Sequence, residues 1–496
     1  MASNLRKQLE DVLNNRILND DFHMLEELED LLSNFGLTLS DSGGSVSFTG
    51  KDPIVPSTIR FASATGLGLA AKAIAIAHLW RYRTGEGQHI KIDLRKVIHR
   101  LSPFFQGKWE KINGFSPGYP TELGSPFAPN FYATKDGRHV LPLDFYNRLR
   151  TAALKFLNVP EDKAAIAAAI AQWNSDELET RANAGGLVMT KVLTVEEFLD
   201  TEQFKYMQDR PLIEIERIGD SEPVPFSANP SNPLDGIRAL GMGHVIAGAG
   251  TGRALALHGA DVLNIWSVSD SEMESLYATA DVGMRSARLD LNSREGKSKM
   301  IELVSGTDIF FANRRTGYLE KYGLSAHELA LIRPGIIHAT ISLYGNTGPW
   351  ANRGGFDVSA GTALGIMALE GSLEEPKLPS IMVVDDYLVA WLTTTAIVTT
   401  LVRRAKEGGS YRIHVNLSRC VLWMLTLGLF DKDYANKTAG SSTEHQFSDP
   451  DLFTGETPLG TYQGVTEQVH MSKTPGQYKY ILEPRGASKP VWEQAQ

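Results

Sequence analysis

Strands and helices alternate along the chain from Leu234 onward, one stretch of sequence recurs later in the same chain, and a glycine-rich segment joins an apolar strand to a helix. Together these predict an α/β protein, with a parallel-sheet, Rossmann-like large domain and a smaller α+β domain. The strands read as "IRALGMG", "ADVLNIW", "TDIFFAN" and "GIIHATIS", and the helices between them as "TGRALALHG" and "REGKSKMIELVSG". Such alternation is the pattern of a parallel sheet with crossover helices.

The repeat fixes two more elements. Val55–Leu94 aligns without gaps on Leu378–Leu417, so that Pro56 and Ser57 fall on Pro379 and Ser380, and Arg81 and Gly85 on Arg404 and Gly408. Each copy reads as loop, long helix, glycine turn and strand, the helix ending in basic residues and glycine as dipole and C-cap preferences require. The copies differ in acidity. Asp385 and Asp386 of the second fall on Ala62 and Ser63 of the first, and no carboxylate occurs from Pro53 to Gly85. Chemistry that needs an acid at this helix start belongs to the second copy alone.

Five segments follow. Residues 1–50 form one or two amphipathic helices, 51–110 a partial first repeat, and 111–232 the smaller domain, punctuated by "GFSPGYP", "KDGRH" and "SANPSNP". Residues 233–430 make the second, complete large domain, and 431–496 a polar, loop-like tail up to "VHMSKTPG".

Composition narrows the function. The 496 residues carry a formal charge of −9, without any long basic run, which argues against a nucleic-acid surface. The single cysteine, Cys420, excludes an internal disulfide and a cysteine metal cluster, so the expectation is a reducing, cytoplasmic setting and no metal site. Within "NLSRCVLWML" it reads as a buried small hydrophobe. Neither a signal-peptide core nor an uninterrupted apolar run of membrane-spanning length is present, and a small molecule is the expected partner.

The segment "HVIAGAGTGRALALHGADVLNIW" (His244 to Trp266) tests for a dinucleotide site. Its glycines are Gly248, Gly250 and Gly252, with Arg253 where the third glycine of the fingerprint belongs. Trp266 or Ser267 stands where the ribose-binding acid should be, which argues against NAD. The glycines either admit a phosphate to the helix N-terminus or serve tight strand–helix packing. His244, at the C-terminal end of the first strand, is either a pocket donor or a structural histidine.

"GIRALGMGHVIAGAGTGRALALHGADVLNIW", "MRSARLDLNSREGKSKMIELVSGTDIFFANRRTGYLEKYGLS", "LYGNTGPWANRGGFD" and "TGEGQ" together resemble the class III CoA-transferase family, which includes formyl-CoA transferase-like enzymes and α-methylacyl-CoA racemases. "SKTPG" fits its longer, fused members. The resemblance implies coenzyme A as substrate or co-substrate and chains interlocked as rings in a dimer. It also implies an aspartate that attacks the acyl thioester in transferases, or exchanges a proton with a histidine in racemases. That aspartate maps onto Asp386. Because Asp is also a favoured N-cap, Asp386 is either the reactive acid or a cap, and Asp385 is the alternative reactive acid.

The chain departs from this pattern at several positions. Phe356 stands where the racemase histidine belongs, followed by Asp357, either a replacement base or a structural acid. Met284 replaces a lysine and Thr316 a proline, which leaves Arg285, Arg314, Arg315 and Lys321 as candidate contacts for the CoA phosphates. Four functions stay open. They are an acyl-CoA transferase with Asp386 as nucleophile; an isomerase or epimerase using Asp386 next to a carbonyl; a tailoring enzyme of secondary metabolism turned to a carbonyl substrate free of CoA; and a non-catalytic binding protein. Residues 1–105 either complete a monomeric pseudo-dimer or pair with a second chain in a homodimer.

Overall fold

A seven-stranded sheet runs through the computed structural model, which describes residues 2–19, 21–118, 125–144 and 146–493. Its strands are β1 (Ile213–Gly219), β2 (Arg238–Met242), β3 (Asp261–Trp266), β4 (Arg285–Arg288), β5 (Ile309–Ala312), β6 (Ile337–Ser342) and β7 (Ser410–Asn416). Their order is β4-β3-β2-β5-β6-β7-β1, parallel throughout except for the antiparallel edge β7–β1. The chain runs from β2 to one side and returns to β5 on the other. The loops after these two strands therefore part and leave a crevice at their C-terminal ends.

Two edges differ from the sequence reading. Strand β1 comes from the 111–232 segment, so the sheet reaches across the expected boundary at 232. Strand β4 reads Arg-Ser-Ala-Arg and lacks the apolar run that marks its neighbours.

Four helices set up the site: α1 (Phe61–Thr84), α2 (Ala247–Leu257), α3 (Asp357–Ala363) and α4 (Asp386–Glu407). The two repeat helices, α1 and α4, pack against each other, and a side chain at Gly68 of α1 would collide with Leu388 of α4. Every residue of α1 from Phe61 to Ala77 is buried, as expected of a helix apolar on all sides. It is long and apolar enough by composition to span a membrane, yet it lies inside the protein. Gly85 closes α1 in the left-handed conformation, at φ +82°.

The strand of the first repeat, Ile90–Asp93, does not join the large sheet. It pairs in parallel with Val46–Thr49 and receives Val469–Met471 as an antiparallel neighbour. The segment after 430 is therefore more structured than its polar composition suggests. Leu452–Thr457 and Gly460–Val465 form a hairpin joined by Lys111–Ile112. Buried charges fasten this region: Glu467 accepts from Lys72 of α1 at 2.6 Å and from Arg100 at 3.0 Å. The 111–232 segment contains a small sheet and helices Asn147–Leu157, Lys163–Ile170 and Ser175–Ala184 around their own core. Tyr119 and Pro120 of "GFSPGYP" lie outside the described residues.

Candidate active site

Three carboxylates gather where α3 meets the start of α4. Asp385 occupies the N-cap of α4 but its side chain makes no capping bond, and Asp386 is the first helical residue. The helix start is held from elsewhere: Oδ2 of Asp357, first residue of α3, accepts the Val384 backbone N–H at 2.8 Å, and the Asp385 and Asp386 backbone N–H groups also face this carboxylate. Asp386 is thereby relieved of the capping role that its position suggested. Its carboxylate has no hydrogen-bond partner among the described residues. Burial pushes all three acids above the usual carboxylate range, and the charge of Asp357 adds to the effect on Asp385 and Asp386. Asp385 is fully buried with neither oxygen hydrogen-bonded, and it faces the buried Cys420 thiol.

Asp386 lines two cavities at once. One is an apolar chamber of about 960 Å³, counting its open mouth, walled by Phe104, Leu143, Ile246, Leu276 and Val383 among others, with Glu110 as a further acid. The other is a wider groove of about 2020 Å³, open solvent included, flanked by His244, Arg148, Arg314, Arg315 and Arg353. Val245, Phe356 and Asp386 border both. Val245 and Met382 on the chamber wall hold positive φ, +55° and +67°, a strained conformation for such residues that clusters at functional sites.

The loop after β2 is held rigidly. Asn313 accepts the His244 N–H and donates to the His244 carbonyl, both at 2.8 Å, and the Val245 N–H donates to Glu272 at 2.9 Å. The His244 imidazole lies between Asp270 at 3.5 Å and Glu272 at 3.4 Å. Burial disfavours its charge, but these two carboxylates outweigh burial and raise its pKa. The imidazole is thus set between two carboxylates in the groove wall.

The candidate cations divide. Arg314 lines the groove but is paired with Asp270 at 2.9 Å. Arg315 is exposed and lines the groove, and Arg148, which no sequence pattern marked, lies close enough to repel it. Neither forms an ion pair among the described residues, and two such guanidiniums side by side suit a phosphate. Arg285 lies elsewhere, buried against Asp261 at 2.8 Å and donating to the Val491 carbonyl. Lys321 is exposed over the Tyr322 ring, outside the groove.

Gly248, Gly250 and Gly252 lie inside α2 rather than in a loop, and they line neither cavity. A side chain at Gly248 would strike Asn313, one at Gly252 would strike Met284 and Phe311, and one at Gly250 would press on Tyr387 and Ala390 of α4 at 3.2 Å. Arg253, in place of the third glycine, is buried and donates to the Val465 carbonyl and the Tyr478 hydroxyl, both at 2.9 Å. The glycines serve close packing.

The model of CoA-transferase family III matches residues 32–230 and again residues 234–478, reading the chain twice. The chain belongs to this family. An acetyl-coenzyme A transferase of Hypoxylon pulicicidum is 30% identical over 213 residues, 41% of this chain and 36% of that protein. The alpha subunit of a succinyl-CoA–L-malate CoA-transferase from Chloroflexus aurantiacus is 30% identical over 242 residues, 45% of this chain and 56% of that protein. The chain thus spans between about a third and little more than half of these relatives. A crystal structure of a CAIB/BAIF family protein from Brucella suis is 25% identical with a TM-score of 0.35, covering 46% of this chain and 65% of that one.

Proposed function

We propose that the protein is an acyl-CoA transferase in which Asp386 carries the transferred group. The observation behind this is the position of one unbonded carboxylate at the junction of an arginine-flanked groove and an apolar chamber. Arg148 and Arg315 would hold the phosphates of coenzyme A, and the chamber would take the acyl chain. An Oδ of ionised Asp386 attacks the thioester carbonyl carbon, the C–S bond breaks, and the thiolate leaves. The acyl group stays on Asp386 as a mixed anhydride until an acceptor takes it and frees the carboxylate. The N-terminus of α4 favours the anionic states.

Transfer is supported over isomerisation by Phe356. It fills the position of the racemase base, stacks on Tyr146 with ring centroids 6.0 Å apart, and cannot exchange a proton. The packing of α1 on α4 within one chain supports the monomeric pseudo-dimer, which light scattering coupled to size-exclusion chromatography tests directly. The chemical test is release of CoA from acetyl-CoA, followed by hydroxylamine quenching and peptide mass spectrometry. A hydroxamate at Asp386, lost in Asp386→Ala, is the expected result. Modification at Asp385, or no CoA release from any acyl-CoA, overturns the proposal.

A further inference from the structure

Glu110 lies beyond the reach of every sequence motif, yet it lines the chamber that Asp386 opens into. Apart from Asp357 and Asp386, it is the only acid lining the chamber among the described residues, and the rest are mainly apolar. It is 5% exposed, and its Oε1 is buried without a hydrogen bond. Native proteins rarely leave a buried carboxyl oxygen unmatched, and an unmatched one on a cavity wall points to a ligand.

The surroundings hold Glu110 in place without completing its bonding. Arg100 and Arg253 act on it through their charge; Arg253 is committed to Tyr478 and the Val465 carbonyl, and Arg100 bonds Glu467 through Nε while its Nη1 makes no hydrogen bond among the described residues. The Thr279 and Tyr462 hydroxyls also bear on the carboxyl, but Tyr462 donates to the Ala278 carbonyl and the Thr279 hydroxyl shares a hydrogen bond with the Tyr387 hydroxyl. Burial is the main influence on the Glu110 carboxyl and pushes its pKa up to about 7, so near neutrality it both donates and accepts.

Building on the acyl-transfer reading, we infer that Glu110 selects the acyl group: the chamber takes a largely hydrocarbon acyl chain bearing a neutral hydroxyl or oxo group that hydrogen-bonds to Glu110. A bare alkyl chain would leave the carboxyl unmatched, and a terminal carboxylate would bring a second acid against it without a cation on the chamber wall. A site that hydrogen-bonds a substrate hydroxyl discriminates strongly against the analogue that lacks it.

The test compares kcat/KM of the full-length protein for butyryl-CoA, 3-hydroxybutyryl-CoA, 4-hydroxybutyryl-CoA, acetoacetyl-CoA and succinyl-CoA. At least one hydroxy- or oxoacyl-CoA should exceed butyryl-CoA by about tenfold or more. In Glu110→Leu that ratio should collapse to within about twofold of unity, whereas Glu110→Gln, which still donates and accepts, should keep most of it. A wild-type preference for butyryl- or succinyl-CoA overturns the inference without any variant, so a misfolded Glu110→Leu does not shelter it. An unchanged ratio in folded Glu110→Leu also overturns it. If no thioester is turned over, the acyl-transfer reading falls and takes this inference with it. If turnover depends on Asp386 but the ratio ignores Glu110, the inference alone falls.

Discussion

Asp386 is biased toward its neutral form. Burial and Asp357 both raise its pKa, and only the ionised form is a nucleophile. The expected kcat/KM therefore rises with pH through a value above the ordinary carboxylate range and then levels off; a fall over that range would assign Asp386 an acid's role instead. Asp386→Asn should lower kcat on the order of 10³-fold or more, measured as CoA release. Asp385 shows the same elevation as a stability effect. Its folded-state pKa lies above the unfolded one, so its contribution is full below about pH 4 and is lost as pH rises toward the folded value. Asp385→Asn should thus gain melting temperature relative to wild type as pH goes from 5 to 8, and a pH-independent difference would refute this. Asp386 was legible because the family resemblance maps the reactive acid onto it and the repeat sets it against Ser63. Asp357 as the distant cap of α4 was not, since capping across 27 residues leaves no local spacing. Arg148 and Glu110 were hidden in segments without periodicity.

At the level of elements, the glycines of α2 show what a sequence motif does and does not say. Their spacing reads either as a phosphate loop or as close packing, and the atoms that face them belong to Asn313, Met284, Phe311, Tyr387 and Ala390. Gly248→Ala should displace Asn313 and loosen its two bonds to His244, costing about 1–3 kcal/mol, read as a lower midpoint in urea unfolding. The parallel strands β2, β3, β5 and β6 were visible because buried strands are apolar along their length. The half-exposed strand Leu452–Thr457 alternates between exposed and partly covered positions, and its polar residues read as loop. The short edge β4 failed for a related reason: half of its four residues are arginine.

Across the whole molecule, two copies of one unit have taken different parts. The second copy supplies the acid, and the first supplies the buried helix against which the second is braced. That brace depends on charges far apart in sequence, because Lys72 and Arg100 share Glu467 as their anion. Glu467→Gln should leave two buried cations short of their anion and cost about 3–5 kcal/mol, seen as a clear drop in melting temperature. Glu467 lies 395 residues downstream of Lys72. During synthesis the first repeat's helix is made early and then carries an unanswered positive charge until nearly all of the described chain has left the ribosome. A nascent chain halted before that point retains a long apolar helix whose buried lysine lacks its anion. The buried lysine thus makes the core a gauge of chain length: copies ended before Glu467 should be cut by protease faster than the full chain, and equal cleavage would refute this.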